Sequence, residues 1–460
     1  MIRLFYNIVF PFALALAAPY YLWRMWRRGR ASRAFGERLG IYSDELAARL
    51  AALKNPVWIH AVSVGEMMLA SVLARELRAR RGDLDIVITT TTVTGREVGR
   101  RLEDEHLVLL YNPVDLWLTV SRAFKRICPC LLILMEQEIW PNYVWQAADR
   151  GVPVWLLNAR LSDRSYGRFV KFKKMARPVL SRLSLIVAQN EEEVSRLVGA
   201  GFPAHAIFNA GSMKFDVAQL AVTDSGLAER LRARLGWRDA DRVVLAGSTF
   251  AGEERIFLEL FAELKKTFPD LRLVLAPRHF ERSGEIAELC REFNVSVARQ
   301  SELTATLTVA PDVLLSDMTG VLRSLYELGT VNFVGKSLCG KGGQNFIEAA
   351  RAGKPVVVGL NTQNFARLAA LFVREGALIQ VRDAAELRVT VSELLADAAV
   401  RERYGAAARR VFEKNLGAGR VSAGMIWQFL SGHGLVTQVN RPAEQSEGDD
   451  DEAAAEGQRG

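Results

Sequence analysis

The sequence predicts an α/β protein of two Rossmann-like, doubly wound domains facing a cleft, preceded by an N-terminal membrane anchor helix. Three observations carry this. Short apolar runs alternate with helical patterns along the chain, as parallel sheets joined by crossover helices require. The alternation is interrupted at residues 217–241, which are largely polar and carry no strand pattern. Residues 4–23, LFYNIVFPFALALAAPYYLW, hold no charge, and twenty helical residues span ~30 Å, the thickness of a bilayer core. The chain of 460 residues is 50% hydrophobic and 24% charged, which excludes a disordered or fibrous polymer.

Taken in order, residues 1–33 form the anchor and its basic flank. Asn7, Pro11 and Pro19 weaken the helix, while aromatics crowd both ends as an interfacial belt requires. Only Arg3 precedes the run, whereas Arg24, Arg27, Arg28, Arg30 and Arg33 follow it, so the C-terminal side is expected in the cytoplasm. The reading is a single-pass signal anchor with the body of the protein on the cytoplasmic side of the membrane. A cleaved signal at Ala15-Leu-Ala17 and a merely interfacial helix are the rivals. Strands are expected at 57–62, 86–91, 107–110, 131–135, 154–157, 185–188 and 207–210 in a first domain, 34–216. After the junction at 217–241, a second domain, 242–432, has strands at 243–246, 273–276, 313–315, 331–334 and 355–358 and a mostly helical end from 383 to 429. Residues 433–460 read as an acidic solvated tail. Within it the last twenty residues hold seven acids and two arginines, a net of −5 against +8 for the whole chain, so the other 440 carry +13. That balance suits anionic partners.

Side chains able to do chemistry fall at the strand ends, where ligands of such folds bind. In Trp58-Ile-His60-Ala-Val-Ser63-Val-Gly65-Glu66 a strand runs into a glycine turn and a helix. Glu66 at a helix N-terminus is either a general base on the cleft rim or the second half of an S-x-x-E capping box with Ser63. In Met135-Glu136-Gln137-Glu138-Ile139-Trp140-Pro141-Asn142, two acids two apart form an acid/base pair or simply open a helix. Asn158-Ala-Arg160-Leu-Ser162 offers amide, guanidinium and hydroxyl donors. In the second half, Gly247 and Ser248 precede a helix N-terminus and suit a phosphate. Arg278, beside His279, has the planar fork that clamps one, with a surface ion pair as the alternative. The run Gly335-Lys-Ser337-Leu-Cys-Gly340-Lys-Gly342-Gly343-Gln344-Asn345-Phe-Ile-Glu348 leaves room for a nucleotide's backbone contacts, with Glu348 placed to grip ribose hydroxyls. The histidines show no metal-ligand spacing, so no metal is expected. The four cysteines form no CxxC pair. Basic residues spread without stacked aromatics argue against nucleic acid.

The motifs HAVSVGE (60–66), TTTTVTG (89–95), MEQEIWPN (135–142), NARLSDRS (158–165), AQNEEE (188–193), GSMKFD (211–216), AGSTFAGEE (246–254), APRH (276–279) and GGQN..E (342–348) occur in that order. Together with the anchor, the chain resembles the 3-deoxy-D-manno-octulosonic acid (Kdo) transferases of lipopolysaccharide assembly over roughly residues 1–430. The resemblance implies a metal-independent GT-B-type glycosyltransferase of the inner membrane, its catalytic body on the cytoplasmic side, that moves Kdo from CMP-Kdo to the anionic lipid A precursor, lipid IVA, with inversion. It implies Glu66 as the catalytic base and a required Glu136. On the residues' own chemistry, the substrate-binding candidates are Lys214, Gly247, Ser248, Arg278, His279, Gly342, Gly343, Gln344, Asn345 and Glu348. Gln344 stands where many members have histidine, Val321 where an acid is frequent, and Gly359-Leu360 where Gly-Pro is usual. Another nucleotide-sugar transferase, for instance one using a UDP-sugar, and a non-catalytic sugar-nucleotide sensor are the alternatives.

Overall fold

The structure is a computed structural model that describes residues 1–27, 35–220, 224 and 226–435. The basic flank from Arg28 to Arg33 and the acidic tail beyond Leu435 lie outside the described residues. Two seven-stranded sheets, parallel throughout, form the frame. The first contains β1 (Val57–His60), β2 (Ile86–Thr90), β3 (Leu107–Tyr111), β4 (Leu131–Met135), β5 (Val154–Ala159), β6 (Leu185–Ala188) and β7 (Ile207–Asn209), in the order β3-β2-β1-β4-β5-β6-β7. The second contains β8 (Arg242–Thr249), β9 (Leu271–Pro277), β10 (Val297–Arg299), β11 (Val313–Leu315), β12 (Val331–Val334), β13 (Val356–Gly359) and β14 (Ile379–Val381), in the order β10-β11-β9-β8-β12-β13-β14.

The strands are continuous apolar runs because helices cover both faces of each sheet. In β1, Val57 and Ile59 point into one core with Ile86, Ile88, Ile133 and Met135, while Trp58 points into the other with Val87, Leu132 and Leu134. The second sheet divides in the same way, Val243 and Leu245 to one side, Val244 and Ala246 to the other. Strand order reverses between β1 and β4 in the first sheet and between β8 and β12 in the second. The crevice outside the carboxyl ends at such a switch point is where ligands bind in open α/β sheets.

Three features differ from the sequence reading. Edge strands β10 and β14 were not expected; each has three residues of which one is polar, Arg299 and Gln380, so neither reads as an apolar run. The expected junction holds the helix Leu227–Arg234, and Leu231, Leu235 and Trp237 are buried in a core of the second domain, with Trp237 Nε1 donating to Pro311 O at 2.8 Å. The chain then returns: the last helix, Ala418–Gly432, buries Ala423, Ile426 and Leu430 against the first domain rather than the second. It lies against the helix Val64–Arg78 so closely that a Cβ on Gly419 would sit 2.7 Å from Val72 Cγ1. Asp216 ties the start of this returning helix through the amides of Gly417 and Gly419, at 2.7 and 2.9 Å.

The N-terminal helix, Ile2–Arg27, runs through both prolines and includes an 18-residue stretch, Ile2–Pro19, apolar and long enough to cross a membrane. Its first two turns dock on the first domain. Arg3 pairs with Asp149, Tyr6 donates to Asp115 at 2.7 Å, and the Tyr6 ring meets Trp145 edge-on at 5.7 Å.

Candidate active site

β1 ends at His60, and the chain turns through Ser63 into the helix Val64–Arg78. Ser63 is extended and its hydroxyl oxygen accepts from the Glu66 amide at 3.3 Å, so the helix starts where the sequence placed the cap. The Glu66 carboxylate does not complete an ordinary capping box. It accepts from the Val62 amide at 2.7 Å and from the Ser63 hydroxyl at 3.1 Å. Burial drives its pKa from the ordinary 4.5 to about 7; the Val62 amide opposes this, and the charges of Glu138 and Glu136 add to it. Glu66 therefore caps the helix and also has the proton affinity of a neutral-pH base.

β4 lies beside β1, so its carboxyl end opens into the same crevice. Glu136 follows it with a left-handed backbone (φ 54°) and is 7% exposed. Its carboxylate is held by Arg160 Nε at 2.9 Å and Lys214 Nζ at 3.1 Å. Burial alone would raise its pKa, but the two cations overcome this and hold it below the usual value. Arg160 comes from the end of β5 and Lys214 opens the helix Lys214–Leu220. Asn158, also left-handed at φ 54°, accepts the Met213 amide at 3.0 Å and so ties the Lys214 segment to the same strand end. Such conformations cost ~1–3 kcal/mol each in a non-glycine residue and cluster at functional sites. Glu138 accepts from Trp140 Nε1 at 3.0 Å, and its pKa is raised chiefly by burial, with Glu136 adding to it.

In the second domain, β8 carries a register break at Ser248, where φ is 54°. Gly247 serves packing: a Cβ there would stand 2.6 Å from the Tyr326 hydroxyl, and its carbonyl accepts the Gly335 amide at 2.8 Å. The glycine-rich loop after β12 is partly filled from within. Glu253, fully buried at the start of the helix Glu253–Leu264, accepts from the amides of Phe250 and Lys336 (2.9 and 2.8 Å) and of Ser337 and Leu338 (both 3.0 Å). The first half of the loop, expected to be open to a nucleotide, is thus an amide nest closed by the protein's own carboxylate. The second half turns at Gly342 (φ 102°) and Gly343 (φ 70°), against the chain at Asn361–Asn364. Asn345 caps inward, accepting from the Ile347 amide at 3.1 Å. Glu348 is paired with Arg323 at 2.8 Å, which leaves one carboxylate oxygen for a ligand. Gln344 is half-buried. Arg278 and His279 are exposed at the end of β9; Arg278 makes no side-chain bond among the described residues, and His279 meets Phe250 edge-on at 5.5 Å.

The structure therefore gathers Glu66, Glu136 and Lys214 at one switch point, and Ser248 and the Gly335–Glu348 loop at the other. Lys214, expected to face the donor's phosphate or carboxylate, is committed to Glu136. Arg160, Glu138 and Glu253 complete the arrangement and had only weak sequence signals, as residues of motifs whose partners lie far along the chain. Arg367 was not singled out at all. From the second domain it reaches Glu193, Glu192 (2.7 Å) and the Leu161 carbonyl (3.4 Å) of the first. Lys214 Nζ also stands 5.9 Å from the Phe365 ring, so the two strand-end clusters meet at this contact. Among the described residues no group of three or more His, Cys, Asp or Glu is arranged to hold a metal ion.

Comparison with known proteins gives a consistent picture. Residues 33–217 match the family model described as 3-deoxy-D-manno-octulosonic-acid transferase (kdotransferase). The chain is similar to the 3-deoxy-D-manno-octulosonic acid transferase of Haemophilus influenzae, 33% identical over 85% of this chain and 90% of that protein. It is likewise similar to the enzyme of the same name from Bordetella pertussis, 35% identical over 90% of this chain and 96% of that one. In fold it resembles the UDP-GlcNAc 2-epimerase of Neisseria meningitidis, with a TM-score of 0.59 at 13% identity, over 81% of this chain and all of that one.

Proposed function

This chain belongs to the Kdo transferase family and is a glycosyltransferase, and from that premise we propose that it moves Kdo from CMP-Kdo onto a hydroxyl of the lipid A precursor, with Glu66 as the base. The observation that carries the assignment of roles is the state of Glu66. It is a buried carboxyl with a pKa near 7, at the switch-point crevice, and two fixed donors hold it in place.

The acceptor hydroxyl is a weak nucleophile at neutral pH. As its oxygen bonds to the anomeric carbon of Kdo, its proton passes to a carboxylate oxygen of Glu66. The bond from that carbon to the CMP phosphate oxygen breaks on the opposite face, with its electron pair leaving on the phosphate, so configuration inverts. Glu136 is a poor proton acceptor because Arg160 and Lys214 keep it ionised. Its part is positional: it fixes the two cations, and its charge helps to raise the Glu66 pKa. With no metal invoked, fixed donors stabilise the departing phosphate. Arg278 and His279, exposed at the end of β9, suit the phosphate or the Kdo carboxylate, and Gln344, Asn345 and the free oxygen of Glu348 suit the nucleoside.

The apolar N-terminal helix supports membrane association, and we place the body on the cytoplasmic side, where a nucleotide-activated sugar is available. A single crossing with the N-terminus beyond the bilayer would require Arg3 and Tyr6 to leave Asp149 and Asp115. Those contacts favour a helix held along the face of the membrane that the body occupies. The test of function is mass-spectrometric: purified protein, detergent-dispersed lipid A precursor and freshly made CMP-Kdo. A product heavier by one or more Kdo is expected. Absence of product from folded protein that binds CMP would overturn the assignment.

A further inference from the structure

The segment following the NARLSDRS motif forms two consecutive helices, Asp163–Lys171 and Lys173–Leu180. Their inner side is ordinary: Tyr166, Phe169 and Ala176 pack on the core beside buried Val179 and Leu180, and Phe169 meets Phe202 at 5.5 Å. Their outer side is not. Val170, Phe172 and Met175 are 44%, 47% and 50% exposed, three large apolar side chains within six residues. Around them Arg164, Arg168, Lys174 and Arg177 are exposed and make no side-chain ion pair among the described residues, and Lys171 lies over the Phe172 ring at 5.5 Å.

Residues 163–182 hold seven basic side chains and one acid. That acid, Asp163, is already engaged by Arg196 at 2.9 Å and by Arg367 at 3.5 Å. On the second domain, by contrast, exposed arginines such as Arg255 and Arg388 are paired with Glu292 and Glu263. Unpaired cations ringing exposed apolar side chains on short helices form a surface that rests in the interface of an anionic bilayer, stems and rings in the acyl boundary and charges among the headgroups.

Position supports the same occupant. The helix Lys173–Leu180 packs on Pro141–Asp149, the helix whose Asp149 and Trp145 receive Arg3 and Tyr6 of the N-terminal helix. That N-terminal helix leaves Phe5, Ile8, Phe12 and Leu16 exposed. At its other end the basic pair begins at Ser162, two residues beyond Arg160 in the Glu136 cluster. We propose that the outer face of residues 163–177 is a second membrane contact, which docks the first domain on anionic lipid and sets the Glu66 crevice at the surface where the acceptor resides. This rests on the membrane-associated reading of the chain, and its test reads partition onto lipid first, with turnover only to separate lipid from acceptor.

The test is partition of the full chain onto phosphatidylethanolamine–phosphatidylglycerol vesicles and onto phosphatidylcholine vesicles, for wild type and for Lys171→Gln/Lys174→Gln/Arg177→Gln. Each neutralised charge is expected to lower partition onto the anionic vesicles roughly fivefold (about 1 kcal/mol each), on the order of 100-fold together, with the neutral vesicles little affected. Phe172→Ser/Met175→Ser should weaken both. Hydrogen exchange across 163–182 should slow on anionic vesicles in the wild type only. Unchanged partition of the triple variant would overturn the proposal. So would intact partition with a fall in transfer to detergent-dispersed acceptor, which would make the patch a site for the acceptor's own phosphates.

Discussion

Replacing Glu66 by glutamine separates its two roles. Glutamine keeps one oxygen for the Val62 amide at 2.7 Å and turns an NH2 donor toward the Ser63 hydroxyl oxygen, while Ser63 still accepts the residue-66 amide at 3.3 Å, so the helix cap survives. It cannot take a proton, and removing a general base costs 10²–10⁴-fold in rate. Stability should move the opposite way. The folded pKa of about 7 lies above the ordinary 4.5, so the contribution of this carboxyl to stability is complete only below pH 4.5 and is lost as pH rises through 7. At 1.36 kcal/mol per pH unit that loss is about 3 kcal/mol by pH 8 and about 1 kcal/mol at pH 5. Glutamine is indifferent to pH, so Glu66→Gln should melt roughly 5–10 °C above wild type at pH 8 and within a few degrees of it at pH 5. Thermal melts across this range, paired with transfer assays, provide the check. A variant melting at or below wild type at pH 8 would refute the burial argument, whatever its activity.

Glu136→Ala should lower activity and also destabilise by about 3–5 kcal/mol, since it strands Arg160 and Lys214; Glu136→Ala/Lys214→Met should recover part of that loss in denaturant melts. Arg367→Ala removes the cation joining the second domain to buried Glu193. It should cost roughly 1–3 kcal/mol and enlarge the radius of gyration in small-angle scattering as the domains part; an unchanged radius would deny Arg367 that role. Glu253→Gln should speed amide exchange at Lys336, Ser337 and Leu338 and weaken CMP binding, leaving exchange in β1 and β4 as in wild type.

Most strands were legible because each is a short apolar run buried on both faces, and the candidate acids Glu66 and Glu136 stood out because they follow the ends of such runs. Which strand ends would share a crevice was not. The adjacency of β1 and β4 is a pairing across some 74 residues, set by crossovers rather than by either strand's own sequence. The state of Glu136 was illegible for the same reason, since Arg160 and Lys214 lie 24 and 78 positions away. Glu253 reads in sequence as an ordinary acid at a helix start, and only the arrival of the 335–340 loop makes it the anion of an amide nest. The return of Ala418–Gly432 to the first domain left no local mark, because an apolar helix face suits either core.

The dependence of kcat/KM for Kdo transfer on pH tests the central claim most directly. With Glu66 as the base, the rate should fall tenfold per pH unit on the acid side of a midpoint near 7, and the residual activity of Glu66→Gln should lack that limb. A wild-type rate that stays level down to pH 5, or a limb that persists in the glutamine variant, would contradict the assignment of Glu66 as the base.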